Sequence, residues 1–175
     1  MALRGNVYLI GPMGSGKSAV GRELSRLLRR PFVDTDAWIE RRSGASVARL
    51  FERRGEAAFR RLERQAVRAA ARRRGLVVAL GGGAPAQPGV RSLLAASGLT
   101  VRLTCSQRAL WRRLSPQRER RPLLRGRGAA ESRARLAALL RRRAPLFPRG
   151  ELRLSTTRLS AREAARRIAR WLEAP

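Results

Sequence analysis

Short continuous apolar runs alternate along the chain with longer stretches whose apolar residues recur every three or four positions. Asn6-Val7-Tyr8-Leu9-Ile10 is uninterrupted and ends in glycine, the pattern of a buried strand. Val20, Leu24, Leu27 and Leu28 then share one helical face, and Pro31 separates that helix from a second short strand, Phe32-Val33-Asp34. Ala37 to Arg42 reads as a helix broken by Ser43-Gly44. Two further helical faces follow, one on Val47, Leu50 and Phe51, the other on Phe59, Leu62, Ala66 and Ala70. Leu76-Val77-Val78-Ala79-Leu80 is a third strand, stopped by Gly81-Gly82-Gly83. Val90, Leu93 and Leu94 mark a helix, Leu99 to Thr104 a fourth strand, and Ala109 to Leu114 another helix. Ser115 to Gly128 is rich in Arg, Pro and Gly without periodicity, which predicts a mobile loop. Leu136, Leu139 and Leu140 define a helix ending near Pro145, and Leu152-Arg153-Leu154 an edge-like fifth strand. Ser160 and Glu163 form a capping box that opens a last helix carrying Ile168, Trp171 and Leu172.

Strands alternating with helices specify a layered α/β fold with a mostly parallel sheet. There is no internal repeat and no linker, so residues 1–175 are expected to form a single domain. Ligands in such folds bind beyond the carboxyl ends of the strands. The loops after strands one, two and three should therefore meet in one crevice.

Charge changes the picture only in part. The chain carries a net charge of +28, which is the signature either of a polyanion binder or of a GC-rich coding bias favouring Arg, Ala and Gly together. The arginines are spread over nearly every helix and aromatic content is 5%, so neither a basic stripe nor a base-stacking platform is present. The composition reading is favoured, and no specific nucleic-acid partner is expected. With one cysteine, Cys105, an internal disulfide is excluded. The N-terminal residues lack a secretory pattern and no segment has bilayer-spanning length, so the expected location is the cytoplasm, with no membrane partner.

More telling is what the composition lacks. Of 40 basic residues only Lys17 is lysine, and the only aspartates are Asp34 and Asp36. All three sit in motifs suited to phosphate and metal. Gly11-Pro12-Met13-Gly14-Ser15-Gly16-Lys17-Ser18 follows a strand and precedes a helix, the context in which G-x-x-x-x-G-K-S has force. Its glycines let backbone N–H groups surround phosphate oxygens, and the helix N-terminus adds partial positive charge. A compact ammonium at Lys17 suits the β- and γ-phosphates, and the Ser18 hydroxyl suits Mg²⁺.

Asp34 and Asp36, two apart at a strand end, can both face the crevice while Thr35 faces away. Their carboxylates can hold Mg²⁺ through water or accept a hydrogen bond from a substrate hydroxyl, or Asp36 or Thr35 can cap the next helix. Gly81, Gly82 and Gly83 permit close backbone approach to a ligand or simply make a tight turn. Arg60, in Gly55-Glu56-Ala57-Ala58-Phe59-Arg60, reads by default as a solvated helix residue. Arg121, in Arg121-Pro122-Leu123-Leu124, reads as a surface arginine or as one that a closing loop brings to a transferred phosphoryl group.

Taken together, the G-x-M-G-S-G-K-S-x-V-G-R, F-V-D-T-D-x-x-I-E, L-F-E-x-x-G-E-x-x-F-R, G-G-G and R-P-L-L motifs resemble those of the shikimate kinases, in order and in spacing, over most of the chain. The resemblance implies a three-layer P-loop NTPase fold of the adenylate-kinase-like type. Its five-stranded parallel sheet would have order 2-3-1-4-5, with helices on both faces and a mobile lid near 115–128. It implies transfer of the ATP γ-phosphoryl group to the 3-hydroxyl of shikimate, with Mg²⁺, by a monomer in aromatic amino-acid biosynthesis. By the same resemblance Gly14, Ser15, Gly16, Lys17, Ser18, Ala19, Arg113 and Arg121 match ATP-binding positions. Ser18 and Asp34 match the metal positions. Asp36, Arg60, Gly81, Gly82, Gly83 and Arg143 match the shikimate-binding positions, and Lys17, Asp36 and Arg121 the catalytic ones. Phe147 stands where the family usually has tyrosine. Gluconate or a nucleoside monophosphate is the alternative acceptor, and an ATP-regulated nucleic-acid binder the alternative class.

Overall fold

The computed structural model describes residues 5–116, 121, 123–148 and 150–174. Five parallel strands form one sheet in the order β2-β3-β1-β4-β5, as the resemblance implied. They are β1 (Asn6–Ile10), β2 (Phe32–Asp34), β3 (Val77–Ala79), β4 (Gly98–Thr104) and β5 (Leu152–Ser155). Seven α-helices connect and cover them among the described residues: α1 (Lys17–Leu28), α2 (Thr35–Ser43), α3 (Val47–Ala71), α4 (Val90–Ser97), α5 (Gln107–Leu114), α6 (Ala129–Arg143) and α7 (Ala161–Glu173).

The central strand explains the three layers. Every residue of β1 is buried, and its side chains alternate between two cores. Val7 and Leu9 pack with Val20 and Leu24 of α1 and with Ala164, Ala165 and Ile168 of α7. Tyr8 and Ile10 pack on the other face with Val67 and Ala70 of α3 and with Val90 and Leu94 of α4. A smaller cluster of Ile39, Leu50, Phe59 and Ala66 joins α2 to α3 beside the strand ends.

Local chemistry sets the element ends. The capping box of α7 is present: Glu163 N–H donates to Ser160 Oγ at 3.2 Å, and Ser160 N–H to Glu163 Oε2 at 2.8 Å. The two helical faces read over 47–51 and 59–70 belong to α3, which Gly55 interrupts with non-helical φ 72°, ψ 171°. Leu27 corrects the reading of α1. It is 47% exposed, whereas Val20, Leu24 and Leu28 pack into the core that α7 completes.

Of the stretch read as a loop over 115–128, residues 117–120 and 122 lie outside the described residues. Leu124, within it, is fully buried with Leu110, Leu114 and Leu136. No described helix is long and apolar enough to cross a membrane.

Candidate active site

The first loop leaves β1 at Gly11 and turns into α1 at Gly16, whose φ of 94° is a left-handed conformation that glycine adopts without strain. Lys17, the first residue of α1, folds back over this loop. Its Nζ donates to Gly11 O and Pro12 O, both at 2.9 Å. Burial lowers the pKa of Lys17 to about 8, with Asp36 and Asp34 opposing that shift.

Ser18 Oγ donates to Asp34 Oδ2 at 2.5 Å. The other oxygen of Asp34 accepts the N–H groups of Asp36, at 3.0 Å, and Ala37, at 3.3 Å, so Asp34 is the N-cap of α2. This corrects the strand-alternation argument. The strand ends at Asp34, and Asp36 lies in the first turn of a helix; a strand-to-helix junction, not a pleat, brings the two carboxylates to the same cleft. Capping falls neither to Asp36 nor to Thr35. Thr35 does face away, fully buried, and its Oγ1 accepts from Gly81 N–H at 2.8 Å, tying α2 to the glycine turn after β3.

Two cavities open on this junction. The smaller, about 230 Å³, is lined by Gly14, Gly16, Lys17, Ser18, Ala19 and Asp34 among others. The larger, about 630 Å³, is lined by Arg60, Gly82, Gly83 and Arg143, with apolar walls including Phe51, Phe59 and Leu123. Met13, Asp36, Gly82 and Arg121 line both. Asp36 and Arg121 thus stand where a ligand on the phosphate loop would meet one in the larger cavity.

Within the larger cavity the charges are unevenly matched. Arg60 is held on both sides: Nη1 donates to Glu63 Oε2 at 2.7 Å, and Nη2 to Glu56 Oε1 at 2.8 Å. Arg143, the last residue of α6, is half-buried near Gly82, and no hydrogen bond or ion pair joins it to any described residue. Burial, then Arg60, depresses its pKa, with Glu63 and Glu56 opposing. Asp36 is the acidic counterpart. Burial, then Glu63 and Asp34, raises its pKa to about 6, and its buried Oδ1 has no hydrogen-bond partner among the described residues. Burial also depresses the pKa of Arg121, with Asp36 opposing.

Gly81 lines neither cavity. A Cβ there would lie 2.3 Å from Glu63 Oε1 and 2.6 Å from Asp36 Oδ1, so its bare Cα lets two buried carboxylates approach the turn. At Gly83 a Cβ would lie 2.3 Å from Arg60 Nη1. The glycine run is therefore more than a turn, because side chains at its first and third positions would displace groups of the larger cavity.

Two of the expected nucleotide residues sit differently from the rest. The Ser15 side chain is fully buried away from both cavities, and its N–H donates within the loop to Pro12 O at 3.2 Å. Arg113 lines neither cavity. Its guanidinium donates to Gly14 O at 3.2 Å and to Thr156 O at 2.7 Å, fastening the phosphate loop to the segment after β5. Sequence reasoning missed Glu63, which is 1% exposed and holds Arg60. A signal existed: Glu63 falls four residues after Phe59 and three before Ala66, a carboxylate inside an apolar helical stripe.

Known proteins resemble this chain in sequence and in fold. A family model described as shikimate kinase matches residues 13–173. The shikimate kinase of Thioalkalivibrio sulfidiphilus (strain HL-EbGR7) is 41% identical over 98% of this chain and 88% of its own length. That of Geobacter sulfurreducens is 42% identical over 95% of this chain and 90% of its own. The structure of shikimate kinase from Acinetobacter baumannii in complex with shikimate superposes with a TM-score of 0.90 and 36% identity, covering 97% of this chain and 93% of that one. With the motifs, the strand order and the paired cavities all in agreement, this chain belongs to the shikimate kinase family.

Proposed function

We propose that the chain transfers the γ-phosphoryl group of ATP to the 3-hydroxyl of shikimate, giving shikimate 3-phosphate and ADP for chorismate and aromatic amino-acid biosynthesis. One observation carries this reading: a phosphate-loop cavity adjoins a second cavity that holds Arg143 without a hydrogen bond or ion pair to any described residue, and Asp36 and Arg121 stand at the junction. A nucleotide seated on the N–H groups of Gly14 and Gly16 would set its terminal phosphates against Lys17 and beside Ala19. The loop glycines act through backbone, and so does Ser15. Arg113 acts by holding Gly14 in place.

Ser18 and Asp34 would hold Mg²⁺, and the fit is a chemical one. Their hydroxyl and carboxylate oxygens are hard donors, and no cluster of three or more metal-ligating side chains occurs among the described residues. Such a sparse set suits a cation that keeps its waters and takes phosphate oxygens. When bound, Mg²⁺ would neutralise charge on the transferring phosphates.

The remaining residues act on the acceptor. Arg60 and Arg143 pair with the ring carboxylate, for which guanidinium forks are matched. Backbone groups of Gly82 and Gly83 approach the ring, and Gly81 leaves room for Asp36. Asp36 Oδ1 accepts the hydrogen bond of the attacking hydroxyl. As the new O–P bond forms and the bond to the ADP oxygen breaks, the hydroxyl proton passes to Asp36. A monomer suffices, because one chain lines both cavities, and the ATP requirement suits the cytoplasm.

An ADP-release assay at moderate salt tests the assignment, with Mg-ATP and shikimate, gluconate, nucleoside monophosphates or no acceptor. Turnover with shikimate is expected; turnover with another acceptor alone, or with none, rejects it. Steady-state kinetics of Arg143→Ala and Arg60→Ala give a second check. Each raises the KM for shikimate by on the order of 10², about 3 kcal/mol, while the KM for ATP stays unchanged. Loss of ATP binding in either variant would move the acceptor site elsewhere.

A further inference from the structure

Behind the larger cavity lies a buried amide. Gln87 follows the 3-10 turn Ala84–Ala86, four residues past Gly83, and is 8% exposed. Its Nε2 donates to Glu63 Oε2 at 2.5 Å, and its Oε1 accepts from Arg64 Nη1 at 2.8 Å. A guanidinium can only donate, so the amide oxygen must face Arg64 and the amide nitrogen must face Glu63. The oxygen of Glu63 that takes this bond is the one that accepts from Arg60 Nη1 at 2.7 Å. A single carboxylate oxygen therefore links Gln87 to the arginine in the cavity.

The two partners of Arg60 are unequal. The Glu56 side chain is half exposed, where an ion pair is screened and holds little geometry. Glu63 is buried, and a buried carboxylate that loses a donor must reorient or be left underpaired. We propose that Gln87 is a positioning residue for acceptor binding: through Glu63 it sets the plane in which the Arg60 guanidinium meets the acceptor carboxylate. The inference rests on the assignment of that cavity to shikimate.

Gln87→Met keeps the length of the side chain and removes both polar ends. The KM for shikimate rises on the order of tenfold in this variant, while kcat and the KM for ATP stay at wild-type values. In an Arg60→Ala background the same change adds nothing, because no guanidinium remains to be positioned. Arg64→Met, at a half-buried site outside the core clusters, gives a smaller rise in the same direction and serves if Gln87→Met does not fold. An unchanged KM for shikimate in both variants, or a Gln87→Met effect that persists in the Arg60→Ala background, overturns the inference alone. A wild-type chain that consumes no ATP with shikimate overturns the cavity assignment and this inference with it.

Discussion

Replacing Arg121 with alanine lowers kcat with shikimate by on the order of 10³ or more, the scale found for arginines that meet charge on a transferring phosphoryl group. Arg121 lines both cavities, half-buried and close enough to Asp36 for the two charges to interact. In such a setting a guanidinium is partly stripped of water, and its attraction to developing charge is stronger than at an open surface. The charge it meets grows only as the phosphoryl group leaves ADP. The loss should therefore fall equally on kcat and kcat/KM, with little change in the affinity for ATP. Steady-state kinetics with both substrates varied decides the point. A higher KM for ATP with kcat intact would make Arg121 a ground-state phosphate binder.

Asp36→Asn is expected to leave ATP binding intact and to lower phosphoryl transfer by about 10²–10⁴, the range for a general base. Asparagine can still accept a hydrogen bond from the acceptor hydroxyl but cannot hold its proton at neutral pH. The wild type supplies the matching pH dependence. Burial, Glu63 and Asp34 raise the pKa of Asp36 to about 6, so it is mostly ionised at pH 7 and protonated below its pKa. The profile of kcat/KM for shikimate reports groups of the free enzyme. It should fall as pH drops through about 6, and that acid limb should be missing in the asparagine variant. Activity of Asp36→Asn near the wild-type level, or an acid limb that survives in it, would leave Asp36 with orientation alone. On the basic side the sign is opposite. Lys17 loses its proton as pH rises through about 8, which weakens capture of the ATP phosphates.

How far each residue could be read from the chain follows from how local its cause is. The phosphate loop spans eight consecutive residues between a strand and a helix, and glycine, lysine and serine at those spacings have few other uses. The absence of lysine and aspartate elsewhere marked Lys17, Asp34 and Asp36 directly. Arginine carried no such signal. Among so many, nothing in the residue type separates Arg60, Arg121 and Arg143 from solvated surface residues, and only the family resemblance singled them out. Glu63 left a local trace, a carboxylate within the apolar stripe of α3, whereas Gln87 left none because its importance lies in what it touches across the fold.

The sequence by itself determined the alternation of strands and helices, the buried run of β1, the capping box at Ser160, and the identity and order of the phosphate-loop residues. Each depends on interactions within a few positions of the chain. Tertiary structure alone decided that Ser18 donates to Asp34, that Arg113 fastens Gly14 to Thr156, and that α1 leaves Leu27 in water. It also decided that Arg143 and Asp36 line one cavity. These outcomes depend on which groups from distant segments arrive at one place and how much water is excluded there, which no local pattern of residues encodes.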